Sequence, residues 1–140
     1  MLLYTLEEWA HPIDRAHWDD AGIDFRTPEG FTLHAGEQRI VDTGVAVQIP
    51  IGYYGKMESK SGLMVNHGII CLGGVIDSGF RGHIKVRMWN TWQEDYTFEQ
   101  GDKLVQMVLI PTLLLEPMEA GMLEDSLSGR DENGYGSSGR

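Results

Sequence analysis

The stretch "GGVIDSGFRGHIKVRMWN", residues 73–90, holds the two readings on which the fold rests. In its second half Ile84, Val86 and Met88 point to one face of an extended chain and His83, Lys85 and Arg87 to the other, the alternation of a half-buried strand. Its first half brings Asp77 out of an apolar run and surrounds it with Gly73, Gly74, Gly79, Phe80, Arg81 and Gly82. Glycines supply positive φ at turns, so one reading is a hairpin tip with a solvated aspartate. The other is a pocket built around a single carboxylate.

Similar short runs recur on both sides: "TLHAG" (32–36), "RIVDTGVAVQIP" (39–50), "YYGKMES" (53–59), "GIICLGGVID" (68–77), "YTFEQ" (96–100) and "KLVQMVLIPTLLLEP" (103–117). Breaks containing Gly, Pro and Asp separate them. Eighteen glycines and five prolines leave little room for a helix of ten residues or more, and "SGLMVNHG" (61–68) has space for one or two helical turns. Strands this short and frequent predict an all-β barrel or sandwich. A chain of 140 residues with 41% hydrophobic content fits one domain. After Leu123, "EDSLSGRDENGYGSSGR" contains one aliphatic residue, Leu127, and cannot bury enough surface to hold itself in place. The expected organisation is therefore a β-barrel domain over 1–123 and a flexible C-terminal tail over 124–140.

Eleven Lys+Arg against 21 Asp+Glu give a net charge of −10, which repels nucleic acid phosphates and anionic membranes. Neither is an expected partner, and an anionic ligand has to meet a focused basic site. A single cysteine, Cys71, excludes an internal disulfide and multi-cysteine zinc sites, which suits a reducing compartment. The first twenty residues lack the features of a signal peptide and no apolar run approaches 18 residues, so a cytoplasmic location is expected. The five histidines show no zinc-ligand spacing. Asp19, Asp20 and Asp24 read as solvated acids or as a divalent-cation site. No nucleophile-elbow signature accompanies a serine, and Cys71 in an apolar run reads as packing.

Three other segments carry chemistry. In "MESKSGL" (57–63), Lys60, Ser61 and Gly62 combine a point charge, a hydroxyl donor and an exposed N–H. Gln106 is an amide inside the apolar run of "EQGDKLVQMVLIP" (99–111) and needs partners in the core or on a ligand. "GYGSSG" (134–139) matches G-x-G-x-x-G, but only Arg140 follows, so the dinucleotide-binding reading fails while a phosphate cradle of N–H groups survives. With Arg130 and Tyr135, that segment supplies a planar cation and a flat ring.

In chain order, "AGIDF" (21–25), "ESKSGL" (58–63), "GGVIDSGFRG" (73–82), "QGDKLVQ" (100–106) and "GRDENGYGSSG" (129–139) resemble the five motifs of the trimeric dUTPases. The resemblance implies a jelly-roll-like β-barrel subunit of the β-clip type, a homotrimer with active sites shared between subunits, and Mg2+-dependent hydrolysis of dUTP to dUMP and pyrophosphate. It implies that Asp77 is the general base for water attacking the α-phosphorus, its basicity raised by burial. Gly74, Val75 and Ile76 are then the hairpin that reads uracil, and Phe80 stacks under the deoxyribose. Lys60, Ser61, Gly62 and Gln106 hold phosphates, Arg130 clamps the γ-phosphate, Tyr135 covers the uracil, and Gly136, Ser137 and Ser138 donate to phosphate oxygens. Mg2+ is held by phosphates and water with no direct side-chain ligand, Asp24 acting through water at most, and Lys60, Arg130 and Arg81 focus positive charge.

The chain departs from the usual pattern of that family at several motif positions: Lys60 stands for an arginine, Phe80 for a tyrosine, Tyr135 for a phenylalanine and Ser138 for a threonine. Asp131, Glu132 and Asn133 make the last motif more acidic. A dCTP deaminase is similar in the "IDSGFRG" region but needs a glutamate where Arg87 stands. A non-catalytic, nucleotide-sensing regulatory protein is the other alternative, and the short run from Asn90 to Gly101 leaves no room for the added segment such proteins usually carry.

Overall fold

The structure is a computed structural model and describes residues 1–124 and Leu127. The strand read from residues 83–90 forms as expected: β8 (His83–Asn90) buries Ile84, Val86 and Met88 and exposes Lys85 and Arg87. It lies between β4 (Gln38–Gln48) and β6 (Ile69–Leu72), and β1 (Leu3–Leu6) adds to the far edge of β4, giving the order β1-β4-β8-β6. A second four-stranded sheet runs β2-β10-β5-β7, from β2 (Gly22–Arg26), β10 (Lys103–Pro111), β5 (Tyr53–Ser59) and β7 (Val75–Ile76). A ribbon of β3 (Phe31–Leu33) and β9 (Tyr96–Phe98) completes the pairing, and every pair is antiparallel.

The all-β expectation holds, with hydrogen bonding organised as two open sheets and a ribbon among the described residues. Side chains from all three, including Phe25, Leu33, Ile84, Met88, Phe98 and Met107, meet in one core. Strand alternation puts each of them on an inner face, and removing this apolar surface from water is the main stabilising term. Buried Asp24, Thr27, Thr43 and Asn90 all have side-chain hydrogen-bond partners, whereas His11 Nε2 is buried without one among the described residues. Asn90 Nδ2 donates to the carbonyls of Leu33 (3.0 Å) and Glu94 (2.8 Å), and its Oδ1 accepts from the Trp92 N–H at 2.9 Å.

The run "GIICLGGVID" does not stay in one sheet. Its first part, β6, pairs with β8, whereas its last part, β7, pairs with β5 in the other sheet. The crossing is made at Gly73, where a Cβ would come within 2.5 Å of the Met57 Cβ, so only glycine permits the close approach. "SGLMVNHG" becomes α1 (Ser61–His67), closed by Gly68 at φ 63° with its N–H donating to the Leu63 and Met64 carbonyls. The strand expected through residue 117 ends at Pro111, and residues 112–124 form neither strand nor helix.

Candidate active site

β7 carries Val75 and Ile76 along the edge of β5, with Lys56 opposite Val75 and Gly55 opposite Ile76, and the Met57 N–H donates to the Gly74 carbonyl at 3.3 Å. The chain then turns. The Phe80 N–H donates to the Asp77 carbonyl at 3.1 Å, and Arg81 Nη1 donates to the carbonyls of Ser78 and Phe80, both at 2.7 Å. Arg81 is thus tied to the turn through one guanidinium nitrogen, and its side chain stays exposed. Asp77 stands exposed at the start of this turn, so the expected burial of its carboxyl is absent within the chain. The reason is local: the flanking Gly74 and Gly79 have no side chains to cover it.

Phe80 is 43% exposed, and its ring lies against Gly82, where a Cβ would come within 2.8 Å of the ring. With Ile76, Gly82, His83 and Lys85 it lines an open groove of about 430 Å3. The groove has an apolar floor beside a solvent-facing carboxylate, which suits a flat ring or sugar next to a reacting water.

A second cluster forms at the other end of β5. The register sets Asp24 of β2 opposite Gln106 of β10, and Gln106 opposite Glu58 of β5. Asp24 is 2% exposed. Lys60, which follows β5 and caps α1, donates its ammonium to Asp24 Oδ1, and Lys103 donates to Oδ2 at 2.6 Å. Burial pushes the Asp24 carboxyl up, but hydrogen bonds and charge from Lys103 and Lys60 outweigh it and hold the group below its ordinary value. Gln106 Nε2 donates to the Ser59 carbonyl at 3.0 Å, and a Cβ on Gly22 would sit 2.0 Å from Gln106 Oε1, so glycine makes room for this amide. Ser61 and Gly62 open α1 and are exposed, with nothing within 4 Å of where a Gly62 Cβ would be. Ser59 Oγ accepts from the Cys71 N–H at 2.8 Å. Burial pushes the Cys71 thiol up to about 11, which leaves it protonated and unreactive, as its packing role requires.

The two clusters do not meet within one chain. β7 runs antiparallel to β5, so Asp77 leaves toward the Tyr54 end while Lys60 leaves at the Ser59 end. Six strand residues at ~3.3 Å each separate those ends by about 20 Å. Arg130, Tyr135, Gly136, Ser137 and Ser138 lie outside the described residues. Lys103 was not among the residues singled out from sequence. Its only sign was a basic residue inside the "QGDKLVQ" motif, because the acid it meets is distant in the chain.

A turn-borne carboxylate and a lysine-flanked buried aspartate, carried on antiparallel sheets by the first four motifs, mark an all-β nucleotide-hydrolase class. The dUTPase family model matches residues 8–139. The chain belongs to the dUTPase family. It is 42% identical over 123 residues to the deoxyuridine 5'-triphosphate nucleotidohydrolase of Anaeromyxobacter sp. (strain Fw109-5), spanning 86% of this chain and 82% of that one. It is 34% identical over 139 residues to that of Paramecium bursaria Chlorella virus 1, spanning 99% and 97%. The fold is similar to the Staphylococcus bacteriophage 80alpha dUTPase with dUPNHPP, at a TM-score of 0.89 and 28% identity, covering 100% of this chain and 99% of that one. It is also similar to a mutant dUTPase of phage phi11 of S. aureus, whose structure details the coordination of a structural Mg(II) ion, at a TM-score of 0.81 and 27% identity, covering 89% and 99%.

Proposed function

We propose that the chain, a dUTP diphosphatase by family, hydrolyses dUTP to dUMP and pyrophosphate with Asp77 as general base, in sites shared between subunits of a homotrimer. The observation that carries this reading is the placement of the two clusters at opposite ends of β5. General-base catalysis needs the base within about 3 Å of the water it deprotonates, and that water must sit beside the α-phosphorus. A single chain offers its carboxylate and its phosphate-binding lysine too far apart for that, whereas a neighbouring copy brings the missing half.

In such a site the glycine-flanked strand of Gly74, Val75 and Ile76 presents main-chain groups to uracil, and the half-exposed ring of Phe80 stacks on the deoxyribose. A narrow hairpin leaves no room for a 5-methyl group. Lys60, Ser61, Gly62 and Gln106 meet the phosphates at the head of α1. Residues 1–123 act as the β domain, and 124–140 as a tail that adds Arg130 to the γ-phosphate, Tyr135 over the uracil, and Gly136, Ser137 and Ser138 to phosphate oxygens.

The donor set bears on Mg2+. No group of three metal-ligating side chains converges among the described residues, and both oxygens of Asp24 carry ammonium groups. The residues fit a hydrated ion carried by the phosphates and water, with no direct side-chain ligand. When bound, the ion supplies charge neutralisation along the triphosphate. Asp77 orients and deprotonates water, Lys60 balances phosphate charge, and Gln106 fixes the polyphosphate by hydrogen bonding. No described helix is long and apolar enough to cross a membrane, and a cytoplasmic setting suits a nucleotide substrate.

The test is pyrophosphate release with Mg2+ across dUTP, dTTP, dCTP and UTP, for the native chain and for Asp77→Asn. Turnover of dUTP alone is expected, falling by about 10³-fold or more in the variant while dUpNHpp still binds. Equal turnover of dTTP, ammonia release from dCTP, or an active Asp77→Asn protein would overturn the reading.

A further inference from the structure

The cluster at Asp24 contains one more cation than its acid needs. Lys60 and Lys103 share one buried carboxylate, one ammonium on each oxygen, so the group is net positive before any ligand arrives. The side chains are 26% exposed for Lys60 and 32% for Lys103, so each ammonium is partly open to solvent while its stem packs over the acid. Lys103 begins β10 at a shift in register against β2, between Lys103 and Val105. Such an irregularity re-aims side chains at a strand end, and here it coincides with the contact to Asp24.

A lysine that pairs with a buried acid is poorly free to bind anything else. If Lys60 were the sole partner of Asp24, moving its ammonium to a phosphate would strand a desolvated carboxylate, and that penalty would come out of substrate affinity. The second cation removes the penalty.

We propose that Lys103 is a positioning residue of the phosphate site: it keeps Asp24 neutralised through Oδ2, which frees the Lys60 ammonium to pass from Oδ1 to a phosphate oxygen of the substrate. The inference rests on Lys60 being a phosphate ligand. It explains why a family position that usually carries arginine tolerates lysine here. A point charge on a flexible stem transfers between two oxygens with little reorientation, whereas a guanidinium locked bidentate on a carboxylate does not.

The test compares steady-state dUTP hydrolysis in Lys103→Met, Lys103→Arg and the double variant Asp24→Asn/Lys103→Met, with melting temperatures for each. Lys103→Met is expected to raise KM about tenfold with kcat within about threefold, because the lost interaction serves ground state and transition state alike. Lys103→Arg keeps KM within about threefold, and the double variant returns it to that range, since a neutral amide no longer retains Lys60. A KM unchanged in Lys103→Met, or a double variant no better than the single, overturns the proposal. Should Lys103→Met fail to fold, the double variant decides alone, near-native KM supporting the proposal and a tenfold rise overturning it. Lys60→Met separates the two readings. If its KM is unaltered, the phosphate role of Lys60 fails; if its KM rises while that of Lys103→Met does not, only the present inference fails.

Discussion

Asp24 stays ionised in the interior because two ammonium groups meet its two oxygens, and that pairing sets a pH dependence. Its folded carboxyl titrates below the ordinary 3.8 that the unfolded chain retains. Fewer protons bind the folded state in that window, so the contribution to stability is complete above 3.8 and is lost as pH falls through the lower folded value. Melting temperatures measured from pH 7 down to pH 2.5 should fall more steeply below pH 4 for the native chain than for Asp24→Asn. At pH 7 that variant should be less stable by about 1–3 kcal/mol, having replaced a charge-assisted acceptor with an amide beside two cations. Equal acid sensitivity in both proteins would mean the aspartate is not held by its lysines. Sequence alone could name Asp24 and Lys60 through motif resemblance, but not that they touch, since burial and pairing across β2, β10 and β5 are properties of the sheet.

Gly73 shows what a strand-to-strand crossing demands of one residue. Between β6 and β7 the chain passes from one sheet to the other, with the Met57 side chain of β5 packed against the glycine. Gly73→Ala should lower stability by about 1–3 kcal/mol through overpacking, read as a drop in melting temperature. The same change should weaken dUTP binding, because β7 would shift with its hairpin. A native melting temperature would show that Met57 yields freely. The alternation in "HIKVRMWN" was legible because one face of the strand meets the core and the other water, and β8 falls on those residues. The crossing at Gly73 was not, since an apolar run looks the same whether it stays in one sheet or changes sheets. β1 escaped for the opposite reason. All four of its residues are exposed, so it leaves no burial pattern to read.

At the scale of the molecule, a chain of net charge −10 has to handle a polyanion, and its described structure sets two ammonium groups on one buried acid, Asp24. The carboxylate proposed to activate water stands about 20 Å of strand away along β5, a separation fixed by the antiparallel register of β7. Chain order made the five motifs legible, but it could not reveal that two of them face opposite ends of one strand.

The most direct test of shared sites mixes two variants that fail for different reasons, Asp77→Asn and Lys60→Ala, by co-expression or by unfolding and refolding together. Hydrolysis at low dUTP should be weak in each variant alone and recover to a substantial fraction of native in the mixture, because mixed assemblies contain a site with an intact Asp77 from one subunit and an intact Lys60 from another. A mixture no more active than the average of its components, with mixed assemblies verified by mass, would contradict the account.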